Sequence, residues 1–236
     1  MAGTQQSRGD CAYCGREMTR TGMAHHLKTC ASRLAAQADA NQGRRRTQTL
    51  YHLQVQDAWN GYFWLHLEMR GNATLQDLDE YLRAIWLECC GHLSAFTIDP
   101  WRYTQISDWG WADDRKKPMN VRVDQLFVPG MDIPYVYDFG TTSSLTIKVL
   151  AQRQAKPTTP RPIFLMARNK LDRSPCMECG EPAIYMCTEC FEGQGAARKL
   201  CAQHAEDHPH QDFLMPLVNS PRTGMCGYMG PAEPPY

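Results

Sequence analysis

The sequence contains no long apolar run and no excess of charge of either sign. None of its apolar stretches approaches the roughly 18 residues of a membrane-spanning helix. Its first ten residues, MAGTQQSRGD, lack the apolar core of a signal peptide. Its 25 Lys and Arg balance 25 Asp and Glu, whereas a dedicated nucleic-acid-binding protein is usually basic. These absences predict a cytoplasmic protein without membrane contact, in which any charge suited to nucleic acid is local.

The sequence has eleven cysteines, but their number and spacing do not indicate disulfide bonds. The count is odd, and most of the cysteines occur in pairs separated by two residues. In a protein without a signal peptide, such pairs are typical of metal ligands.

Composition divides the 236 residues into five parts. Cysteines and histidines concentrate towards the two ends, and large apolar side chains lie between them. We therefore predict one mid-sized core flanked by two small metal-binding modules. The predicted parts are a module at 9–34, a linker or exposed helical extension at 35–48, a central domain at 49–170, a second module at 174–215 and an irregular tail at 216–236.

The central segment carries both strand and helix patterns. Residues 50–56 and 62–69 alternate apolar and polar side chains around a turn-forming Asp-Ala-Trp-Asn-Gly sequence, which predicts a β-hairpin. Thr74 is a candidate N-cap for an amphipathic helix of about four turns that stops at Gly91. Further strands are predicted at 94–98, 135–139, 145–150 and 163–167. The predicted fold class is α+β, a central, mostly antiparallel sheet with the helix packed on one face.

Eight candidate zinc ligands follow one another as four pairs in the C-terminal module. Zinc prefers four thiolate or imidazole ligands in tetrahedral geometry, and a Cys-x-x-Cys turn places two thiolates on one ion. A segment of about 35 residues cannot bury enough apolar surface to hold its fold without metal. We therefore predict two structural zinc ions, with the ligands Cys176, Cys179, Cys187, Cys190, Cys201, His204, His208 and His210.

The order of these pairs resembles the cross-brace zinc modules of the B-box and ZZ kind. This resemblance implies that the first and third pairs bind one ion and that the second and fourth pairs bind the other. Sequential pairing is the alternative. Modules of these kinds typically mediate protein contacts, so the resemblance also implies a protein partner.

One further zinc ion is predicted in the N-terminal module, with the ligands Cys11, Cys14, His26 and Cys30. His26 and Cys30 are four residues apart and share one face of a helix, whereas the alternative ligand, His25, is five residues from Cys30. The spacing resembles a C2HC variant of the ββα zinc finger, with Met23 and Leu27 as its core. About three zinc ions per chain are therefore expected.

The N-terminal segment is locally basic, and zinc fingers can place a helix in the DNA major groove. A single finger buries little surface on DNA and binds weakly. Nucleic acid is therefore a possible partner beside a protein. The candidate contacts are Arg16, Arg20, Lys28, Arg44, Arg45 and Arg46, with His25 and Arg33 in the same segment.

Four short motifs of the central segment suggest a family. They are Tyr51-His52-Leu53-Gln54-Val55, Thr74-Leu75-x-x-Leu78, His92-Leu93-x-x-Phe96 and Tyr137-Asp138-Phe139-Gly140. Over about residues 49–168 the chain resembles the plasmid pRiA ORF-three-like family, whose members include passenger proteins of insertion elements. The resemblance implies an α+β fold and a prokaryotic mobile-element or phage-like context. Acidic residues, a Trp and a His that follow Asp-Phe-Gly in the family are replaced here by residues 141–145, so a polar site there would be degraded.

The sequence predicts neither catalytic nor cofactor-binding residues apart from the zinc ligands, and an enzyme is the less favoured interpretation. No spacing joins its central acidic and histidine residues into a dyad or triad. Those residues are Asp108, Asp113, Asp114, Asp138, His52, His66 and His92. Asp138 is expected to form a turn.

Three cysteines have no partner at metal-ligand spacing. Cys89 and Cys90 are predicted to be core thiols, and Cys226 a thiol of the tail. The favoured function is a zinc-stabilised adaptor that binds a protein partner. Nucleic-acid binding through the basic N-terminal module is the alternative, and an enzyme with an acidic site in the central domain is the third hypothesis.

Overall fold

The structure of the protein is a computed structural model that describes residues 6–105, 115–171, 174–192 and 196–231. It divides into two compact units. The first unit comprises Met1–Leu82 and His92–Lys170, and the second comprises Arg83–Gly91 and Leu171–Tyr236. The fold class is α+β with a large, mostly antiparallel sheet, as predicted. No helix among the described residues is long and apolar enough to cross a membrane.

Within the described residues, the first unit contains ten strands. They are β1 Arg8–Cys11, β2 Glu17–Thr19, β3 Gln48–Asp57, β4 Trp64–Arg70, β5 Ser94–Ile98, β6 Trp101–Thr104, β7 Lys116–Pro118, β8 Asp132–Tyr137, β9 Ser143–Ala155 and β10 Ile163–Asn169. All ten form one sheet in the order β2-β1-β10-β4-β3-β9-β8-β5-β6-β7. Neighbouring strands are antiparallel, except that β6 and β7 run parallel.

Helices complete the first unit, and a smaller sheet lies in the second. The helices of the first unit are α1 Arg20–Thr29, α2 Ala31–Gln42 and α3 Leu75–Leu82, with a 3₁₀ turn at Val123–Gln125. The second unit contains a π-helical turn at Arg83–Leu87, strands β11 Tyr185–Glu192, β12 Ala196–Leu200 and β13 Leu214–Pro216, helix α4 Ala202–Glu206 and a 3₁₀ turn at Gln211–Phe213. Its sheet has the order β12-β11-β13.

The predicted hairpin is confirmed, and Asp57 explains its turn. β3 and β4 pair antiparallel from Leu50 opposite Arg70 to Gln56 opposite Trp64. One carboxylate oxygen of Asp57 accepts the backbone N–H groups of residues 59, 60 and 61, and the other accepts that of residue 63. The side chain thus supplies the acceptors that the turn backbone lacks.

The predicted helix begins as expected but is shorter. Thr74 Oγ1 accepts the N–H of Asp77, and Asp77 Oδ2 accepts both the N–H and the hydroxyl of Thr74. This reciprocal cap fixes the start of α3. The α-helix ends at Leu82 after eight residues, and the apolar stripe continues into the π-helical turn, where Ile85 and Trp86 are fully buried.

The N-terminal segment shares a sheet and a core with the central segment. β1 pairs with β2 on one side and with β10 on the other. Met23 and Leu27 of α1, which the finger-like spacing predicts as a small core, are fully buried. They pack with Trp64 of β4 and Met166 of β10. Residues predicted as a linker or helical extension form most of α2.

Candidate metal centres

The N-terminal cluster is built by β1, β2 and α1, in the ββα order of a zinc finger. Its ligand atoms come from Cys11, Cys14, His26 and Cys30 and lie within 4.8 Å of one another. The Sγ atoms of Cys11 and Cys30 are 4.0 Å apart, and Cys14 Sγ is 3.2 Å from His26 Nε2. Ligands of a tetrahedral zinc ion are about 3.3–3.8 Å apart, and these two separations lie within about 0.2 Å of that range.

His26 rather than His25 belongs to this cluster. Met23 and Leu27 turn one face of α1 into the core, and His26, beside Leu27, is half-buried. His25 is exposed to solvent. Zinc ligation by the four residues remains a prediction, but the structure brings the chosen set together.

The four ligand pairs of the C-terminal module form two further clusters in the second unit. One contains Cys176, Cys179, Cys201 and His204, and the other Cys187, Cys190, His208 and His210. In each cluster the four ligand atoms lie within 4.8 Å of one another. The first and third pairs thus lie together, as do the second and fourth, which is the cross-brace arrangement.

Distances within these clusters also suit zinc. In the first, Cys179 Sγ and Cys201 Sγ are 3.8 Å apart, and Cys201 Sγ is 3.3 Å from His204 Nδ1. In the second, Cys190 Sγ lies 3.5 Å from His208 Nε2 and 3.1 Å from His210 Nδ1. These separations are close to those between the ligands of a tetrahedral zinc ion.

Ionisation of the thiols differs between the clusters. Burial raises the pKa of Cys11 to about 11, so a cation is needed to stabilise its thiolate near neutral pH. Burial also opposes ionisation of Cys176, but backbone N–H groups, of Cys201 first and then of Glu178 and Cys179, together lower its pKa to about 6. The backbone around Cys176 is thus already arranged for a thiolate.

Asp138 and His92, which no sequence spacing connects, lie side by side. His92 Nε2 is 3.4 Å from Asp138 Oδ2. Asp138 also has the predicted turn role, because its Oδ1 accepts the N–H of Gly140 at 2.9 Å and its φ is +64°. Two motifs of the suggested family therefore meet. Asp108, Asp113 and Asp114 lie outside the described residues.

Asp79 is a buried carboxylate that the sequence pattern does not reveal. It accepts hydrogen bonds from Ser94 Oγ at 2.5 Å, from Tyr135 Oη at 2.7 Å and from Gln105 Nε2 at 3.0 Å. These bonds connect α3 to β5 and β8, so the group has a structural explanation.

The basic residues of the N-terminal segment differ in how accessible they are to a nucleic acid. Arg33 is buried, where its guanidinium donates to the carbonyl of Leu27 at 2.7 Å and lies 3.5 Å from a carboxylate oxygen of Glu68. Arg33 is therefore not an accessible contact for nucleic acid. Arg20 donates to the carbonyl of Gly61. The exposed basic residues of this segment are Arg16, Lys28, Arg44, Arg45 and Arg46.

The prediction that Cys89 and Cys90 are core thiols is wrong. Cys90 is exposed and Cys89 only half-buried, so they are not two core thiols. Cys226 Sγ lies 3.6 Å from Cys90 Sγ, although the residues are 136 positions apart. The tail folds back onto residues 83–91 within the second unit, a contact that sequence spacing cannot indicate.

Comparison with known proteins identifies one family. A family model described as plasmid pRiA4b ORF-3-like protein matches residues 50–197, so the match extends beyond residue 168 to the first two cysteine pairs of the C-terminal module. A crystal structure of a protein of unknown function from Methanosarcina mazei Go1 is 17% identical with a TM-score of 0.44, and the alignment covers 52% of this chain and 70% of that chain. The search among curated proteins found no match.

Proposed function

The chain belongs to the family of plasmid pRiA4b ORF-3-like proteins, and we propose that it is a zinc-stabilised adaptor that binds a protein partner. The observation that carries this proposal is the number of ligands in each predicted centre. Each of the three clusters offers four protein ligand atoms. Four protein ligands complete a tetrahedral zinc ion and leave no position for water or substrate, which is typical of structural sites.

The second unit also offers apolar anchors beside its metal ligands. Met177 lies inside the Cys-x-x-Cys turn and is 43% exposed, and Phe213 follows the last ligand pair and is 44% exposed. The ring of Phe213 packs edge-on against that of His210, with the centroids 6.5 Å apart. A metal ion would thus fix the backbone from which each side chain projects. Exposed Met and aromatic side chains on a rigid surface are common anchors for protein partners.

A second candidate function rests on the exposed arginines. Arg44, Arg45 and Arg46 follow α2 in sequence and are exposed, as are Arg16 and Lys28. Such a group can bind phosphates in a salt-dependent manner. The balanced charge of the chain as a whole favours the protein partner.

Capture from the host with a matched control tests the adaptor function. The Met177→Ser/Phe213→Ser variant is compared with wild type and with Val128→Ser, which removes a 60% exposed apolar side chain from the first unit. We expect a partner captured by wild type and the control to bind the double variant at least about tenfold more weakly, while metal analysis shows unchanged zinc. A partner captured equally by all three proteins contradicts the proposal.

Duplex binding tests the second candidate. Fluorescence anisotropy of a labelled short DNA duplex is recorded at several salt concentrations for wild type and for the Arg44→Ala/Arg45→Ala/Arg46→Ala variant. Affinity that falls with salt and is lost in the variant supports nucleic-acid binding. Absence of binding at low salt excludes it and leaves the adaptor function.

A further inference from the structure

Three cysteines outside the clusters described above come together in the second unit. The Sγ atoms of Cys89 and Cys90 are 3.6 Å apart, as are those of Cys90 and Cys226. A disulfide bond has an S–S distance of about 2.05 Å, so these sulfurs are not bonded to one another. Two thiolates on one tetrahedral zinc ion, at about 2.3 Å each, lie about 3.8 Å apart. The cluster therefore has the spacing of a metal site and not that of a disulfide.

Neighbouring side chains hold the tail against residues 83–91 at this point. Ser220 Oγ donates to the carbonyl oxygen of Trp86 at 2.5 Å, and Arg222 Nη2 lies 3.4 Å from Cys89 Sγ. Both Ser220 and Arg222 are fully buried. The position of Cys226 is thus set by buried polar contacts.

Two of these cysteines share one backbone feature with the other centres. Cys14 and Cys179 are each followed by a glycine in the left-handed region, with φ of +69° at Gly15 and +81° at Gly180. Cys90 and Cys226 are followed in the same way by Gly91, φ +78°, and Gly227, φ +65°. A Cβ added at any of these four glycines would meet no atom within 4 Å. The left-handed backbone, and not lack of space, therefore explains each glycine.

We propose that Cys89, Cys90 and Cys226 bind a fourth zinc ion. All eleven cysteines of the chain then belong to metal centres. Three thiolates leave one position of a tetrahedral zinc ion for a further ligand.

Native mass spectrometry of the reduced, zinc-loaded chain tests the number of ions. We expect four zinc ions in wild type and three in Cys226→Ser. Met229→Ser, which changes a 68% exposed residue of the same tail, is the control and retains four. Four ions in Cys226→Ser overturn the proposal.

Alkylation of wild type tests the same site without any substitution. With zinc present, Cys89, Cys90 and Cys226 are expected to react slowly with N-ethylmaleimide, and a chelator should make them react quickly. Rapid reaction of all three in the zinc-loaded protein overturns the site. A disulfide among them that persists in the reduced, zinc-loaded chain also overturns it. Neither experiment depends on the adaptor function, because the readouts are the number of metal ions and the reactivity of the thiols, and not the binding of a partner.

Discussion

The glycine that follows a cysteine determines which backbone N–H groups can donate hydrogen bonds to the sulfur. The left-handed turn at Gly15 aims the N–H of Arg16 at Cys14, which lowers the pKa of that thiol. The equivalent turn at Gly180 aims the N–H of Glu181 at Cys179 and so favours its thiolate, although burial and the neighbouring thiols of Cys201 and Cys176 leave the pKa of Cys179 raised. The same turns close with a hydrogen bond from the glycine N–H to the carbonyl of the first cysteine, 2.8 Å to Cys11 and 2.9 Å to Cys176.

Replacement of Gly180 by alanine tests this backbone requirement. A Cβ at a left-handed residue costs about 1–2 kcal/mol, which corresponds to roughly tenfold weaker zinc binding at the Cys176 cluster. Competition with a chromophoric chelator measures the affinity. Gly180→Asn is the control, because asparagine tolerates the left-handed region, and it should lose less. Wild-type affinity in the alanine variant would contradict this explanation.

At the scale of secondary-structure elements, β3 and β4 enclose a pair of buried histidines. His52 Nε2 is 2.9 Å from His66 Nδ1, and His66 Nε2 lies 3.4 Å from the carbonyl oxygen of Arg20. This arrangement suits two neutral imidazoles, in which His66 donates to Arg20 and accepts from His52. Burial lowers the pKa of His66 to about 4 and that of His52 to about 2.

The histidine pair predicts acid sensitivity of the first unit. In the unfolded chain both histidines bind protons below a pH of about 6.5. In the folded protein the pair stays neutral until the pH falls to about 4 or lower. The contribution of this pair to the free energy of unfolding is therefore fully present above about pH 6.5. It falls as the pH falls, by up to about 1.4 kcal/mol per pH unit for each histidine.

Urea unfolding between about pH 7 and pH 5 measures this dependence. The His52→Gln/His66→Gln variant keeps the metal ligands, so acid-driven metal loss is common to both proteins and cancels in the comparison. We expect a clearly shallower pH dependence in the variant. Equal slopes would show that these histidines do not govern the acid response.

The elements differ in how far the sequence could predict them. The β3–β4 hairpin is a local structure with alternating side chains and an Asp57 turn, so its pattern suffices. β6 and β7 are missed, because strands of four and three residues carry too little pattern. The pairing of β1 with β10 depends on contacts between distant segments, which no local pattern records. The three Cys/His clusters that could bind zinc follow from spacing, whereas the Cys89 cluster depends on how the tail folds.

At the scale of the whole molecule, the two units have different sources of stability. The first contains a ten-stranded sheet with many fully buried apolar side chains, among them Leu53, Leu67 and Ile147. The second contains a three-stranded sheet with a small apolar cluster. This cluster includes Leu200 and the predicted metal ligand Cys176. Zinc should therefore contribute a larger share of the stability of the second unit.

Hydrogen exchange with and without a strong chelator measures that difference. Amides of β11 and β12 should lose most of their protection when zinc is removed, while amides of β3 and β9 keep theirs. A chelator already saturated with zinc is the control. Unchanged protection in β11 and β12 would mean that metal is not what holds the second unit together.

The pairing of β1 with β10 also has a consequence for the order of events during synthesis. Gly9 pairs with Asn169, so the ribosome delivers β1 long before its neighbour exists. Cys11 and Cys30 are only 19 positions apart, and the whole N-terminal ligand set is translated early. A zinc ion captured by the nascent chain would keep β1, β2 and α1 assembled through this interval, when the unpaired edge of β1 is open to other chains.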